Sequence, residues 1–422
     1  MQNKPKAPSS QLTTQIFIAL ICGGVLGGAL NFFRLGEEPP IQTAIINGVF
    51  TVGGQVFVRL LQMLVVPVVF LSLVCGSAGI GDIKKLGRIG AKTLFLFLMT
   101  TLLAIGLGIG LAFLIQPGVG FNLSGASAFK AQETPSFIQT LIEIVPRNPI
   151  EAFAQADMLP IIIFSLFVGM ALTSVGDSGQ RLLGFFRDLE KVMMKIVDRV
   201  IALSPLGVFC LVAKVTAAQG VEAFSPLLKY FFTVLIALVF HCVLIYPLIL
   251  KLLSGLNPLV FFRKFYEVMF FAFSTSSSNA TIPVNLEVVE KKLGVKNSIA
   301  SFIIPLGATV NMDGTAIMQG VATVFIAQAY GMDFGLKQAL IVMTTATLAS
   351  VGTAGVPGVG LVMLAMVFQQ VGLPVEAIGV IMAVDRPLDM ARTAVNITGD
   401  AAIACVVAKS ENQFDETVFL NK

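Results

Sequence analysis

Apolar runs of about bilayer length, roughly 20 residues for a helix, alternate along this chain with short clusters of charge, proline and glycine. The first run, Ile16 to Phe33, predicts a spanning helix whose Gly23, Gly24, Gly27 and Gly28 permit close packing. Glu37, Glu38, Pro39 and Pro40 mark a turn, and Val49 to Val74 predicts a second helix. Asp82, Lys84, Lys85, Arg88 and Lys92 then precede a third, Thr93 to Ile115. By the positive-inside rule this basic turn and the Lys4/Lys6 tail share the cytoplasmic side, as two crossings require. A glycine- and proline-bearing loop from Gln116 to Pro135 is expected outside, and a hydrophobic region from Phe137 to Val175 is broken at Pro146, Pro149 and Pro160. Arg181, Arg187, Lys191, Lys195 and Arg199 return the chain to the cytoplasmic side. Ile201 to Ala213 and Phe231 to Leu252 predict further helices.

Two later segments do not read as simple crossings. Between Lys251 and the cluster Glu287, Glu290, Lys291, Lys292 and Lys296, an apolar stretch is interrupted by Ser274-Thr275-Ser276-Ser277-Ser278-Asn279. Each apolar arm is too short to cross about 30 Å of hydrocarbon, so the segment is expected to dip in and return as a hairpin. The same shape recurs after Lys337, with Ser350-Val351-Gly352-Thr353-Ala354-Gly355-Val356-Pro357-Gly358 at its middle, a run that cannot remain regular helix. Each hairpin precedes a full span, Ser301 to Ala329 and Ile378 to Val407. Such a layout entered from opposite faces is that of an inverted repeat.

Both of these spans carry chemistry. The first breaks at Asn311-Met312-Asp313-Gly314-Thr315, where a glycine weakens the helix and frees carbonyls beside a carboxylate. Oxygen ligands of that mixed kind suit a hard cation such as Na⁺, although a glycine hinge with a capped aspartate is the plainer alternative. In the second, Asp385, Asp389, Arg392, Asn396 and Asp400 follow spacings of 4, 3, 4 and 4. At about 100° per residue they fall within roughly an 80° arc. The flanking residues are apolar or glycine, so this stripe is expected to turn inward within the membrane. Charges at that depth are costly unless they meet a partner or a ligand.

Composition excludes the soluble alternative, an amphipathic surface helix. The chain of 422 residues is 56% hydrophobic and only 12% charged, with mean hydropathy +0.88. The length leaves room for about eight spans. The net charge of +4 reports topology and not a nucleic-acid partner. Five cysteines, Cys22, Cys75, Cys210, Cys242 and Cys405, lie in apolar runs without metal-ligand spacing and imply no disulfide framework. The N-terminal run shows no convincing cleavage site and is expected to stay as an uncleaved span. An intramembrane hydrolase built on the serine cluster would need a base. The single histidine, His241, lies in an apolar run without an evident acid partner.

The serine tip Ser276 to Ser278, Asn311 to Thr315, Ser350 to Gly358 and Asp389 to Asp400 occur in the order found in the glutamate transporter family, the dicarboxylate/amino acid:cation symporters. The chain resembles that family, in particular its prokaryotic sodium/aspartate or glutamate symporters, from Ile16 to about Val407. The resemblance implies an all-α polytopic membrane protein of eight transmembrane helices plus two re-entrant helical hairpins. It also implies inverted repeats and a trimeric elevator transporter in the plasma membrane, the inner membrane of a bacterium. Residues 1–78 and 117–226 would form the scaffold. Residues 79–116 and 227–410 would form the transport domain, and 411–422 a cytoplasmic tail. No cofactor is implied. Its partners would be L-aspartate or L-glutamate, Na⁺ as coupling ion, membrane lipid and two further copies of the chain.

Carried over by position, Arg392 resembles the residue that pairs with a substrate side-chain carboxylate, for which a guanidinium fork is suited. Asp389 resembles the partner of the substrate amino group, with Asn396 and Thr315 as further polar contacts. Ser278 and Val356, with the hairpin backbones, would hold the main-chain carboxylate, and Ser277 and Gly360 would also belong to the substrate-binding set. Gly307, Asn311, Asn396 and Asp400 resemble one Na⁺ site. Thr100, Thr101, Asn311 and Asp313 resemble a second, and Thr309, Ser350, Val351 and Thr353 a third. The chain departs from the family in carrying Ser276 and Met390 where relatives place an arginine. Arg386 either supplies that charge as a neighbour of Asp389 or reaches toward the interface. Proton coupling, and a neutral amino acid or C4-dicarboxylate cargo, stay open as alternatives. Asp389 opposes the last, because it would repel a ligand that lacks an amine. A channel is a further alternative; an enzyme is not expected.

Overall fold

The computed structural model describes residues 8–33, 41–86, 88–121, 145–155, 157–219, 224–350, 355 and 357–421. Among them, regular structure is helical apart from one isolated bridge between Val295 and Phe414. The chain opens with α1 (Pro8–Phe32), then a π-helical stretch, Gln42–Phe50, that runs directly into α2 (Thr51–Leu86). Next come α3 (Arg88–Ile115), the short α4 (Pro149–Gln155), α5 (Met158–Ser174), α6 (Asp177–Ala202) and α7 (Ser204–Gln219). The basic residues Arg181 to Arg199 thus lie on a helix, α6, which buries Leu183, Val197 and Val200 along one face. The helix expected from Ile201 begins instead at Ser204, where Pro205 fits a first turn that needs no amide donor. Most of the loop expected at 116–135 lies outside the described residues.

The span expected at Phe231 to Leu252 is two helices joined by a π-turn: α8 (Phe224–Phe240), His241–Ile245, and α9 (Tyr246–Ser254). Pro247 explains the defect, since it has no N–H to continue the regular ladder. The Tyr246 amide reaches back five residues, to the His241 carbonyl. The first expected hairpin is a helix pair, α10 (Pro258–Thr275) and α11 (Ser278–Lys291), which contact each other. Then α12 (Asn297–Val310) and α13 (Asp313–Ala329) form the expected broken helix, interrupted at Asn311 and Met312. The second pair is α14 (Leu336–Ser350) and α15 (Val359–Gln370), and α16 (Ile378–Ser410) and α17 (Glu416–Leu420) end the chain.

Among the described residues, four stretches are long and apolar enough to cross a membrane, Thr14–Phe32, Arg88–Ile115, Ser225–Ser254 and Val384–Ser410, and a bent pair across α6 and α7 would make a fifth. Close helix approach is visible where α1 meets α7. A β-carbon added at Gly23 would lie 2.7 Å from the Phe209 carbonyl oxygen, so the glycine is required by contact with backbone. The interior is organised on α16, against which α8 to α13 pack, while α13 is buried along nearly its whole length between α3 and α16. That burial takes the polar groups of α16 away from lipid.

Candidate functional site

The five-residue stripe of α16 faces inward as its spacing requires: Asp385 is 5% exposed, Asp389 8%, Arg392 1%, Asn396 3% and Asp400 1%. Arg392 is held through one nitrogen. Its Nη2 lies 3.0 Å from Asp389 Oδ1, to which it donates, and 2.8 Å from Asp385 Oδ1. Its Nη1 and Nε, both buried, have no hydrogen-bond partner among the described residues. A second guanidinium, Arg386, donates from Nη1 to the other oxygen of Asp389 at 3.1 Å. The i,i+3 spacing from Arg386 to Asp389 and from Asp389 to Arg392 places these groups on one face.

The free Nη1 end opens on Gly360 and Thr315. A β-carbon at Gly360 would stand 3.3 Å from Arg392 Nη1 and 3.3 Å from Thr315 Cγ2, so α15 leaves room beside the guanidinium only because residue 360 has no side chain. The four charged side chains sum to zero, and two guanidinium donor groups remain to be used. A carboxylate is the kind of group that would satisfy them, and an unsatisfied buried donor is costly.

One turn further along α16, the interrupted helix supplies a second polar cluster. The Asn311 side-chain amide donates to Asp400 Oδ1 and to the Asn396 carbonyl, each at 2.9 Å. Asn396 Oδ1 accepts from the Gly314 amide at 2.7 Å, which satisfies one free donor at the start of α13. Gly307 sits so close to Asp400 that an added β-carbon would lie 2.4 Å from its Oδ1. Asn311 Oδ1 is buried with no partner among the described residues. The Asp400 carboxylate and the unpartnered Asn311 amide oxygen therefore meet beside the helix break, oxygen donors of the kind hard cations take.

Asp313, fully buried, is gripped from two helices. Thr101 on α3 donates to its Oδ1 at 2.7 Å, and the Tyr246 hydroxyl donates to Oδ2 at 2.9 Å. The expectation that His241 has no acid partner is overturned: its Nε2 lies 3.2 Å from Asp313 Oδ2. The carboxylate can only accept, so Nε2 carries the hydrogen. The 72-residue separation hid this pair in the sequence, and the π-turn aims the ring. Tyr230 was also illegible. Its hydroxyl is buried on α8, without a partner among the described residues and within electrostatic reach of Asp385 and Arg392.

The hairpin tips meet. Ser276 turns the chain with φ +51°, Ser277 caps α11 by accepting from the Ala280 amide, and its hydroxyl donates to the Gly355 carbonyl at 2.9 Å. The Asn279 amide donates to the same carbonyl at 3.0 Å, and Ser278 is buried against Gly355. Val351, Thr353 and Val356 lie outside the described residues. Three expected cation-site hydroxyls bond to their own helices: Thr100 to the Phe97 carbonyl, Thr309 to Leu306 and Ser350 to Thr347.

The fold and site together define a multi-pass helical membrane protein whose charged side chains are buried beside a broken helix. The profile of the Sodium:dicarboxylate symporter family matches residues 12–410, and the chain belongs to that family. Its relatives include the Proton/glutamate-aspartate symporter of Escherichia coli (strain K12), 37% identical over 96% of this chain and 94% of the relative. The Proton/sodium-glutamate symport protein of Geobacillus stearothermophilus is 35% identical over 96% of both chains. The human Neutral amino acid transporter B(0) is 34% identical over 95% of this chain and 80% of its own length.

Proposed function

We propose that this protein is a secondary active carrier that takes up acidic amino acids, L-aspartate or L-glutamate, with Na⁺ as coupling ion. The observation that carries the reading is Arg392, buried in the membrane interior with Nη1 and Nε unpaired among the described residues and opening onto Gly360 and Thr315. A carboxylate on the ligand's side chain takes those donors. Its ammonium goes to Asp389, a buried carboxylate on the same face. Support from similarity runs the same way, since the bacterial relatives bear glutamate or aspartate in their names.

Na⁺ is assigned to the cluster of Asn311, Asn396, Asp400 and Gly307, with Asp313 and Thr101 beside it; the two buried acids and the unpartnered Asn311 amide oxygen are ligand types that suit it. Thr100, Thr309 and Ser350 would have to turn from their own helices to join. The two helix pairs are read as re-entrant hairpins within an eight-span fold, and the protein as a homotrimer of the bacterial inner membrane working as an elevator. Burial of the whole α16 stripe fits a cargo-bearing unit that moves as one body.

The test is uptake of radiolabelled L-aspartate into proteoliposomes under an inward Na⁺ gradient. Accumulation above the external concentration, lost when choline replaces Na⁺, is expected. Uptake indifferent to Na⁺ would remove the cation assignment, and equilibration without accumulation would indicate a pore.

A further inference from the structure

We propose that the groove where the end of α3 meets the start of α8 binds one anionic phospholipid, its acyl chain lying along α8 and its phosphate on Lys229. None of the residues involved belongs to the substrate or cation clusters, so the site is independent of the carrier reading.

Helices α8 and α9 together make up the membrane-crossing stretch Ser225–Ser254. An exposed lysine stands near each end, Lys229 and Lys251. The 22 residues from one to the other are about 33 Å of helix, against roughly 30 Å of hydrocarbon, so the two ammonium groups mark its two boundaries. Lys251 is soon followed by Arg263 and Lys264, which by the positive-inside rule puts that end on the cytoplasmic side and Lys229 at the outer boundary.

Beside Lys229 lies a groove of about 440 Å³, walled by Ile115 at the end of α3 and by the turns of α8 from Ser225 to Ile236. That volume is in the range of small-ligand sites, roughly 300–1,000 Å³. Its polar groups sit at the mouth. Ser225 and Lys229 are one turn apart on the same face, and Lys229 has no ion-pair partner among the described residues. On the floor, Thr233 is fully buried and its hydroxyl donates to the Lys229 carbonyl at 2.7 Å, so its one donor is already used. Leu228, Phe232 and Ile236 complete the wall, each about half exposed. With Val239, also about half exposed, they run down one face of α8 at spacings of 4, 4 and 3. The stripe is about 16 Å long, close to the depth of one leaflet's hydrocarbon.

An unpaired cation above a dry apolar trough calls for an amphiphile with an anionic head. A phospholipid supplies both parts: its acyl carbons cover the stripe, and its phosphate oxygens accept from Lys229 Nζ and from the Ser225 hydroxyl. The rest of the head group then decides among lipids. Phosphatidylglycerol keeps its negative charge, whereas phosphatidylcholine adds a quaternary ammonium that repels Lys229 and donates no hydrogen bond. The two walls, α3 and α8, each pack on α13 and α16, so a lipid seated between them braces the helices that hold the charged stripe.

The experiment titrates full-length protein in detergent with phosphatidylglycerol or phosphatidylcholine of identical chains and counts bound lipid by native mass spectrometry. A phosphatidylglycerol with a diazirine in its acyl chain maps the contact. Wild-type protein should bind phosphatidylglycerol about fivefold more tightly than phosphatidylcholine, the effect of one lysine at an anionic head group, and the label should fall between Ser225 and Val239 or on Ile115. Lys229→Gln should lower phosphatidylglycerol binding to the phosphatidylcholine level, while Lys229→Arg should keep the preference. Ile236→Trp, which fills the trough, should abolish labelling there, and Lys251→Gln, at the opposite boundary, should change neither readout. An unchanged preference in Lys229→Gln would overturn the site. So would labelling that is displaced by inorganic phosphate, survives Ile236→Trp, or avoids this stretch, the last being the result if a second copy or residues 122–144 covered it.

Discussion

Arg392 is buried with two carboxylates on one nitrogen and two donors unused among the described residues, and its environment sets what it can bind. Arg392→Cys removes that fork, and the charge-assisted hydrogen bonds it offers are worth about 1.5–3 kcal/mol. The apparent KM for aspartate should therefore rise about 100-fold while serine begins to compete for uptake, measured as labelled aspartate flux against each competitor. A second prediction concerns the cation cluster. Gly307→Ala puts a methyl group 2.4 Å from Asp400 Oδ1, so the carboxylate must shift, and the Na⁺ concentration for half-maximal uptake should rise about tenfold. Unchanged Na⁺ dependence would exclude Gly307 from the site. Which of these residues the sequence reveals depends on how far apart their partners lie. Asp385, Asp389, Arg392, Asn396 and Asp400 share a helix face, so periodicity alone aligned them. His241 and Tyr246 find Asp313 across 72 and 67 residues, and no local pattern reports such a pairing.

Elements break where their residues compel them to, and that governs how well each could be read. The interruption after Val310 was legible from Asn311 to Gly314, and the hairpin turn at Ser276 from its serine cluster. The π-turn before Pro247 was not, because it inserts no distinctive residue and only the missing proline amide betrays it. The C-terminal segment folds back on the preceding helices: Lys264 on α10 donates to the Val418 carbonyl at 2.7 Å, the Asp415 amide donates to the Gly294 carbonyl at 2.7 Å, and Asp415 caps α17. Glu411 at the end of α16 binds Arg88 at 2.6 Å and also Lys92, both on α3. Those hydrogen bonds, Arg88's first, hold the Glu411 carboxyl below its ordinary value of 4.5. A depressed carboxyl contributes to docking above 4.5, and the contribution fades as pH falls below it. Amide exchange of residues 411–420, corrected for intrinsic rate, should be steady from neutral pH to about 5 and accelerate below the carboxylate range. Glu411→Gln should show the faster exchange already at neutral pH. At the hairpin tips, Ser277→Ala removes one bond to Gly355, worth about 1 kcal/mol. Exchange at the Asn279 amide should quicken about fivefold, and no change would mean that the tips are held by other contacts.

For the whole molecule, the controlling fact is a charge balance kept inside a lipid-facing shell. Helices α8 to α13 wrap α16 so that Asp385, Asp389 and the two arginines meet one another instead of hydrocarbon, while Asp400 on α16 and Asp313 on α13 are placed among neutral oxygen and nitrogen groups. On the proposed reading, cations and a polyvalent zwitterion would enter this arrangement together, because each offsets a charge that the other leaves exposed. Hydropathy and charge spacing gave access to this plan, whereas the packing that closes it depends on contacts between distant segments. The most direct measurement is a panel of labelled L-aspartate, L-glutamate, L-serine and succinate, taken up by proteoliposomes holding wild-type or Arg392→Cys protein under one Na⁺ gradient. Wild-type protein should concentrate the two acidic amino acids and exclude serine and succinate, and the variant should lose the acids. Preferential uptake of serine or succinate by the wild type, or an unchanged aspartate KM in the variant, would contradict the account.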